Sequence, residues 1–156
     1  MIKNVREFMG TISDKLYDLK NGVSVVIRTA RESDAEAYLS LGKSIMSEEI
    51  YSLTQADELD FSSGHRKRNS HTGDFGMGVH KDFRGLGIGT LLLKALIEWA
   101  KNNTQIEKIN LCVHQTNDRA IATYKKIGFE IEGVRSKDLK YPNGVYVNTV
   151  LMGLHL

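Results

Sequence analysis

Three glycines and an arginine share one short turn, Arg84-Gly85-Leu86-Gly87-Ile88-Gly89, between a strand-like segment, Phe75 to His80, and an amphipathic helix that begins at Ile88. Glycines remove the side chains that would hold an anion away, so such a turn can lay several backbone N–H groups and a helix N-terminus around a phosphate. The turn therefore implies a phosphorylated ligand. A Walker loop needs a lysine directly after its second glycine, and none stands there. The dinucleotide fingerprint fits Gly85 and Gly87 but meets Thr90 where its third glycine belongs. What remains is Arg-x-x-Gly-x-Gly, with Arg84, Gly87 and Gly89 in register. Taken alone, this hexapeptide is also compatible with a glycine-rich strand-to-helix turn that binds nothing.

A second constellation follows at Asn117-Asp118-Arg119-Ala120-Ile121-Ala122-Thr123-Tyr124-Lys125-Lys126-Ile127-Gly128-Phe129. Asn117 or Asp118 can cap a short helix, Gly128 suits the left-handed position just past its end, and Phe129 opens the next strand with a buried ring. Those are stability reasons for the same residues. The pair of motifs, in this order and joined by a helix and a strand, resembles the GCN5-related N-acetyltransferase (GNAT) superfamily. There Arg-x-x-Gly-x-Gly is the pyrophosphate loop for acetyl-CoA, and Asn-x-x-Ala-x-x-x-Tyr-x-x-x-Gly-Phe lies downstream of it.

The resemblance implies an α/β protein of the GNAT fold, with a mixed, mostly antiparallel, twisted sheet and helices on both faces. It implies acetyl-CoA as co-substrate, an amine acceptor and no metal. The pyrophosphate would lie on Arg84, Gly85, Leu86, Gly87, Ile88, Gly89 and Thr90. Backbone groups of Met77, Gly78 and Val79 would pair with the pantetheine arm, and Asn117 would hydrogen-bond that arm or an ordered water. Tyr124 would be the general acid: a phenol of ordinary pKa about 10 stays protonated at neutral pH and can donate to a thiolate whose parent thiol titrates near 8.5. The activity so implied is transfer of an acetyl group to a primary amine of a small molecule, peptide or protein by direct attack. A non-catalytic acyl-CoA sensor or interaction module on the same fold is the alternative, and a domain recognising phosphates alone is a third.

A general base is not fixed by the residues. Phe75 to Val79 contains no carboxylate; His71, Asp74 and His80 stand nearby, with Glu48 and Glu49 in the first helical region as alternatives. The basic run His65-Arg66-Lys67-Arg68 reads as a solvated loop, or as an attraction for an acidic acceptor or the CoA 3′-phosphate. No aromatics interleave with these cations, which argues against nucleic acid.

The elements that must position these groups read as follows. Lys15 to Leu19 and Val23 to Arg28 flank Asn21-Gly22, a hairpin signal, with residues before Lys15 as a terminal extension. Ser33 or Asp34 can cap a helix through Ala35, Leu39 and Ile45. Asp74 to Val79 reads as a strand whose Gly76 and Gly78 mark a bulge or close approach. Ile88 to Lys101 carries Ile88, Leu91, Leu92, Ala95, Leu96 and Trp99 on one helical stripe, so Trp99 is expected to pack. Strand Lys108 to His114 precedes the Tyr124 helix, and Phe129 to Leu139 and Val145 to Leu154 flank the turn Tyr141-Pro142-Asn143-Gly144. Between the first strand and Phe75 the family usually holds two helices and a hairpin. Only Thr29 to Asp74 is available here, and Phe61-Ser62-Ser63-Gly64 resembles the tail of a strand, so the acceptor-side hairpin is expected to be shortened or missing.

Length and composition fit one domain across residues 1–156, and 21 basic against 19 acidic side chains give a net charge of +2. Bulk charge thus favours neither nucleic acid nor a membrane surface. The sole cysteine, Cys112, sits in the apolar run Ile109 to Val113 and is expected to be a small buried hydrophobe. No run of eighteen apolar residues occurs, and the first residues do not lead into a signal-peptide core, so a cytoplasmic protein is expected. Homodimers are common in the superfamily; the sequence leaves the oligomeric state open.

Overall fold

The computed structural model describes residues 12–46 and 69–156. Strands β1 (Lys15–Asp18) and β2 (Ser24–Ile27) form an antiparallel hairpin, with Lys15 opposite Ile27 and Asp18 opposite Ser24. Gly22 takes φ +80° in the turn, as Asn-Gly predicts. The hairpin makes a two-stranded sheet of its own, and an ion pair from Lys15 Nζ to Glu98 (2.5 Å) ties it to the helix that follows the glycine turn. A 3₁₀ turn, Glu32–Asp34, then leads into α1 (Ala35–Met46). Asp34 reaches backwards: its carboxylate accepts from the Arg31 N–H (2.7 Å) and from both terminal nitrogens of Arg28 (2.6 and 2.8 Å). These contacts hold its pKa well below the ordinary carboxylate value, the Arg28 hydrogen bonds most strongly.

The main sheet has strand order β3-β4-β6-β5, built from β3 (Thr72–Asp74), β4 (Lys108–His114), β5 (Glu130–Lys140) and β6 (Tyr146–His155). β3 runs parallel to β4; the other pairs are antiparallel. Residues alternate sides along a strand, so Ile109, Leu111 and Val113 of β4 join Val150 and Met152 of β6 on one face. There they meet Leu93 and Ala100 of α2 (Ile88–Lys101) and Tyr124 of α3 (Asp118–Ile127) in one buried cluster with Phe129. Trp99 packs against it, as its place on the stripe predicts. The β5–β6 turn has Gly144 at φ +85°, with Gly144 N–H donating to the Tyr141 carbonyl (2.8 Å).

Two expectations are corrected. The strand placed at Asp74 to Val79 lies upstream, at Thr72–Asp74, and Phe75 to His80 forms no ladder. Pairing starts where Glu107 N–H donates to the His71 carbonyl (2.8 Å), and beyond Asp74 the two side-chain-free positions, Gly76 and Gly78, offer little to hold a strand in register. Cys112 is exposed, not buried. Its run is apolar, but Ile109, Leu111 and Val113 occupy the inward positions, which sends Cys112 to the opposite face. The segment Phe61 to Gly64, the shortened hairpin, Glu48, Glu49 and the basic run at 65–68 lie outside the described residues.

Candidate functional site

Gly85 (φ +83°) and Gly87 (φ +91°) both take left-handed backbone conformations that cost an L side chain roughly 1–2 kcal/mol. A Cβ on Gly87 would meet nothing within 4 Å, so conformation rather than crowding demands glycine there, and the space in front is open. Gly87 is also the N-cap of α2 and offers no side-chain cap. The first helical bond runs from Leu91 N–H to the Gly87 carbonyl (3.1 Å), which leaves the amides of Ile88, Gly89 and Thr90 ahead of it. With the helix dipole behind them, these donors suit an anion.

The turn is held against the extended segment before it. Arg84 Nε donates to the Val79 carbonyl (2.9 Å), and a Cβ on Gly89 would lie 3.6 Å from Met77 Cε and 3.8 Å from Val79 Cγ2. The structure thus brings Met77, Val79, Arg84, Gly87 and Gly89 together, with Gly78, Gly85, Leu86, Ile88 and Thr90 in the same stretch of chain. Arg119 joins them: its Nη2 lies 3.7 Å from where a Gly85 Cβ would be. Sequence reasoning passes over Arg119. Its place in the first turn of α3, two residues past the Asn117 cap, is the available signal.

Behind this turn the sheet opens. β4 continues to His114, but β3 accompanies it only from Lys108 to Asn110. From there Phe75 to Val79 runs on without pairing to β4. Phe75 anchors the segment from below, with its ring 6.4 Å from Tyr124 and 6.1 Å from Phe129.

Tyr124 is fixed by the local chemistry of its helix. The Asn117 side chain caps α3 by accepting from the Ala120 N–H (3.1 Å), and Gly128 ends it at φ +112°. Tyr124 then falls on the buried side, 8% exposed, with its ring edge-on to Phe129 at 5.8 Å. Burial pushes its phenol pKa above the ordinary value. Among the described residues, nothing hydrogen-bonds the phenol oxygen. A buried, protonated donor packed against Phe75, at the start of the segment that leaves the ladder, is what results.

The base candidates are scattered. His80 caps the 3₁₀ turn Lys81–Phe83, with its Nδ1 taking the Asp82 N–H at 3.4 Å. His71 is exposed upstream of β3, and Asp74 ends β3 opposite Asn110. The structure does not gather them around Tyr124.

Known proteins share both the motifs and the fold. The sequence model of the acetyltransferase (GNAT) family matches residues 50–129, which include both motifs. The L-amino acid N-acetyltransferase AaaT of Escherichia coli is 39% identical over 87 residues, 56% of this chain and 53% of that protein. The chain spans about half the length of the curated relatives it matches. Among solved structures, a GNAT-family acetyltransferase from Streptococcus pneumoniae superposes with a TM-score of 0.76 at 23% identity, covering 83% of this chain and 98% of that one. The yncA protein of Salmonella typhimurium, solved with its cofactor acetyl-CoA, gives 0.72 at 15% identity over 83% and 92% of the two chains.

Proposed function

This chain belongs to the acetyltransferase (GNAT) family, and we propose that it moves an acetyl group from acetyl-CoA to a primary amine, with Tyr124 as general acid. Two left-handed glycines, a helix start with no side-chain cap and an adjacent arginine support a cradle for a diphosphate, and the run of Met77 to Val79 outside the ladder supports a place for an extended arm. Acetyl-CoA, when bound, supplies the thioester whose acyl group is transferred. The amides of Gly85 to Thr90 bind its charged end, and the backbone of Met77, Gly78 and Val79 orients the arm and polarises the carbonyl. Asn117 keeps α3 in place through its cap. Tyr124 holds its proton at neutral pH and gives it to the thiolate that leaves.

The observation that carries this reading is the glycine-built start of α2, with no side-chain cap, set against Met77 and Val79 just past the end of the β3–β4 ladder, in the same segment whose Phe75 packs on the Tyr124 ring. The name of the AaaT relative makes amino acids one acceptor class to test among primary amines. Free thiol released from acetyl-CoA, followed against a panel of amines, is the experiment. Amine-dependent release is expected. Tight acetyl-CoA binding with no turnover on any amine supports the acyl-CoA sensor instead.

A further inference from the structure

Arg119 stands where the stability of its own helix gives it no task. It is the second helical residue of α3, after the Asn117 cap and Asp118, and it is exposed. The N-terminus of a helix carries partial positive charge, which an acidic residue offsets and a cation opposes. Asp118 suits that end of α3; Arg119 does not. The two cannot answer each other, because adjacent residues on a helix do not face one another. No ion pair among the described residues includes Arg119. Its backbone carbonyl accepts the Thr123 hydroxyl (2.9 Å), a bond that any residue at this position could provide.

The fold instead lays the Arg119 side chain against the glycine turn. Nη2 lies 3.7 Å from the point that a Cβ on Gly85 would occupy, an ordinary van der Waals separation. Gly85 takes φ +83°, so the backbone demands glycine there, and the guanidinium consequently meets main chain. Both sides of this contact are anchored. Asn117 N–H donates to the His114 carbonyl (2.9 Å) and the Asn117 side chain accepts from Ala120 N–H (3.1 Å), which fixes the first turn of α3 to the end of β4. On the other side, the Arg84 Nε bond to the Val79 carbonyl (2.9 Å) ties the glycine turn to the segment before it.

The two arginines at this turn therefore differ in what they do. Arg84 commits its Nε to the protein's own backbone. Arg119 brings a planar fork of N–H donors, with no carboxylate to meet, to the turn that leads into the amides of Ile88, Gly89 and Thr90. A guanidinium matches the paired oxygens of a phosphate in geometry as well as in charge.

We propose that Arg119 binds the diphosphate of acetyl-CoA, taking its oxygens from the side of α3 while the amides of the glycine turn take them from the side of α2. The diphosphate is favoured over the 3′-phosphate because Gly85, the residue that Arg119 faces, belongs to the same turn as the helix-start amides. The inference rests on the acetyltransferase reading and adds to it a side-chain ligand from the second motif, which then serves the co-substrate as well as carrying Tyr124.

Calorimetric titration of the whole chain with acetyl-CoA, and separately with its 3′-dephospho form, tests this without turnover. Arg119→Gln should raise Kd for both by about tenfold or more, the loss expected for one charge-assisted contact. Free of ligand, the same variant should melt at or above wild type by circular dichroism, since it removes a cation from a helix N-terminus. Lys20→Gln, which takes the same charge from the β1–β2 turn, should leave both Kd values unchanged. An unaltered Kd in Arg119→Gln, an equal loss in Lys20→Gln, or a free Arg119→Gln variant that melts well below wild type would each overturn the proposal. A loss seen with acetyl-CoA and absent with the dephospho form would put Arg119 on the 3′-phosphate and overturn it too. All of these outcomes leave the acetyltransferase reading standing; wild-type protein that binds neither form would remove that reading instead.

Discussion

Tyr124 has ordinary surroundings for a core residue, two phenyl rings and a helix, and its chemistry follows from them. Burial destabilises the phenolate, so the group keeps its proton through the neutral range and past the ordinary phenol pKa of about 10. For Tyr124→Phe we expect kcat to fall about 10²-fold, the scale of one positioned acid, with acetyl-CoA affinity by calorimetry nearly unchanged. Any loss of wild-type activity through ionisation of this phenol should appear only above pH about 10. An unaltered kcat in the phenylalanine variant would take the acid role from Tyr124. At this scale the sequence is legible wherever a residue's type dictates its backbone, as at Gly85, Gly87 and Gly128. It is least legible for Cys112 and Arg119. The apolar average of its run hides the place of Cys112 in the alternation, and Arg119 is set beside Gly85, a neighbour distant in the chain.

Elements bounded by side-chain chemistry are legible from the sequence. α2 spans Ile88–Lys101 and α3 begins just after Asn117 and ends before Gly128, because a cap and a left-handed glycine are local devices. The β3 boundary is not, since a ladder is decided by the partner strand: Phe75 to Val79 has strand-like residues but loses β4. The approach to α1 gives a test of its own. Asp34 is held ionised by Arg28 first and by the Arg31 N–H second, so its folded-state pKa is depressed. A depressed carboxylate adds stability that is present above its unfolded pKa of about 3.9 and is lost as pH falls through the folded value. Asp34→Asn should therefore melt below wild type by a constant margin down to pH about 4, and the margin should shrink on further acidification. A margin independent of pH, measured by thermal unfolding monitored by circular dichroism, would show that the charge of Asp34 is not what matters.

For the molecule as a whole, the division of labour runs across the sheet. One face carries α2, α3 and the Phe75–Tyr124–Phe129 rings, and the other carries the buried polar side chains of His114 and Thr149. The glycine-built entry to α2 lies against Met77 and Val79, past the end of the β3–β4 ladder. The described residues contain no helix long and apolar enough to cross a membrane. A shallow groove on α2 and the end of α3, lined by Lys94, Lys101 and Lys126 with Ile97 and Ile127, also presents positive charge, and it is the natural rival for an anionic ligand. Amide resonances recorded during an acetyl-CoA titration distinguish the two directly. The largest shifts should fall on Gly85, Gly87, Ile88, Gly89 and Thr90, with Met77, Gly78 and Val79 following at the same ligand concentration. Shifts confined to the lysine-lined groove, or none at saturating acetyl-CoA, would contradict the account.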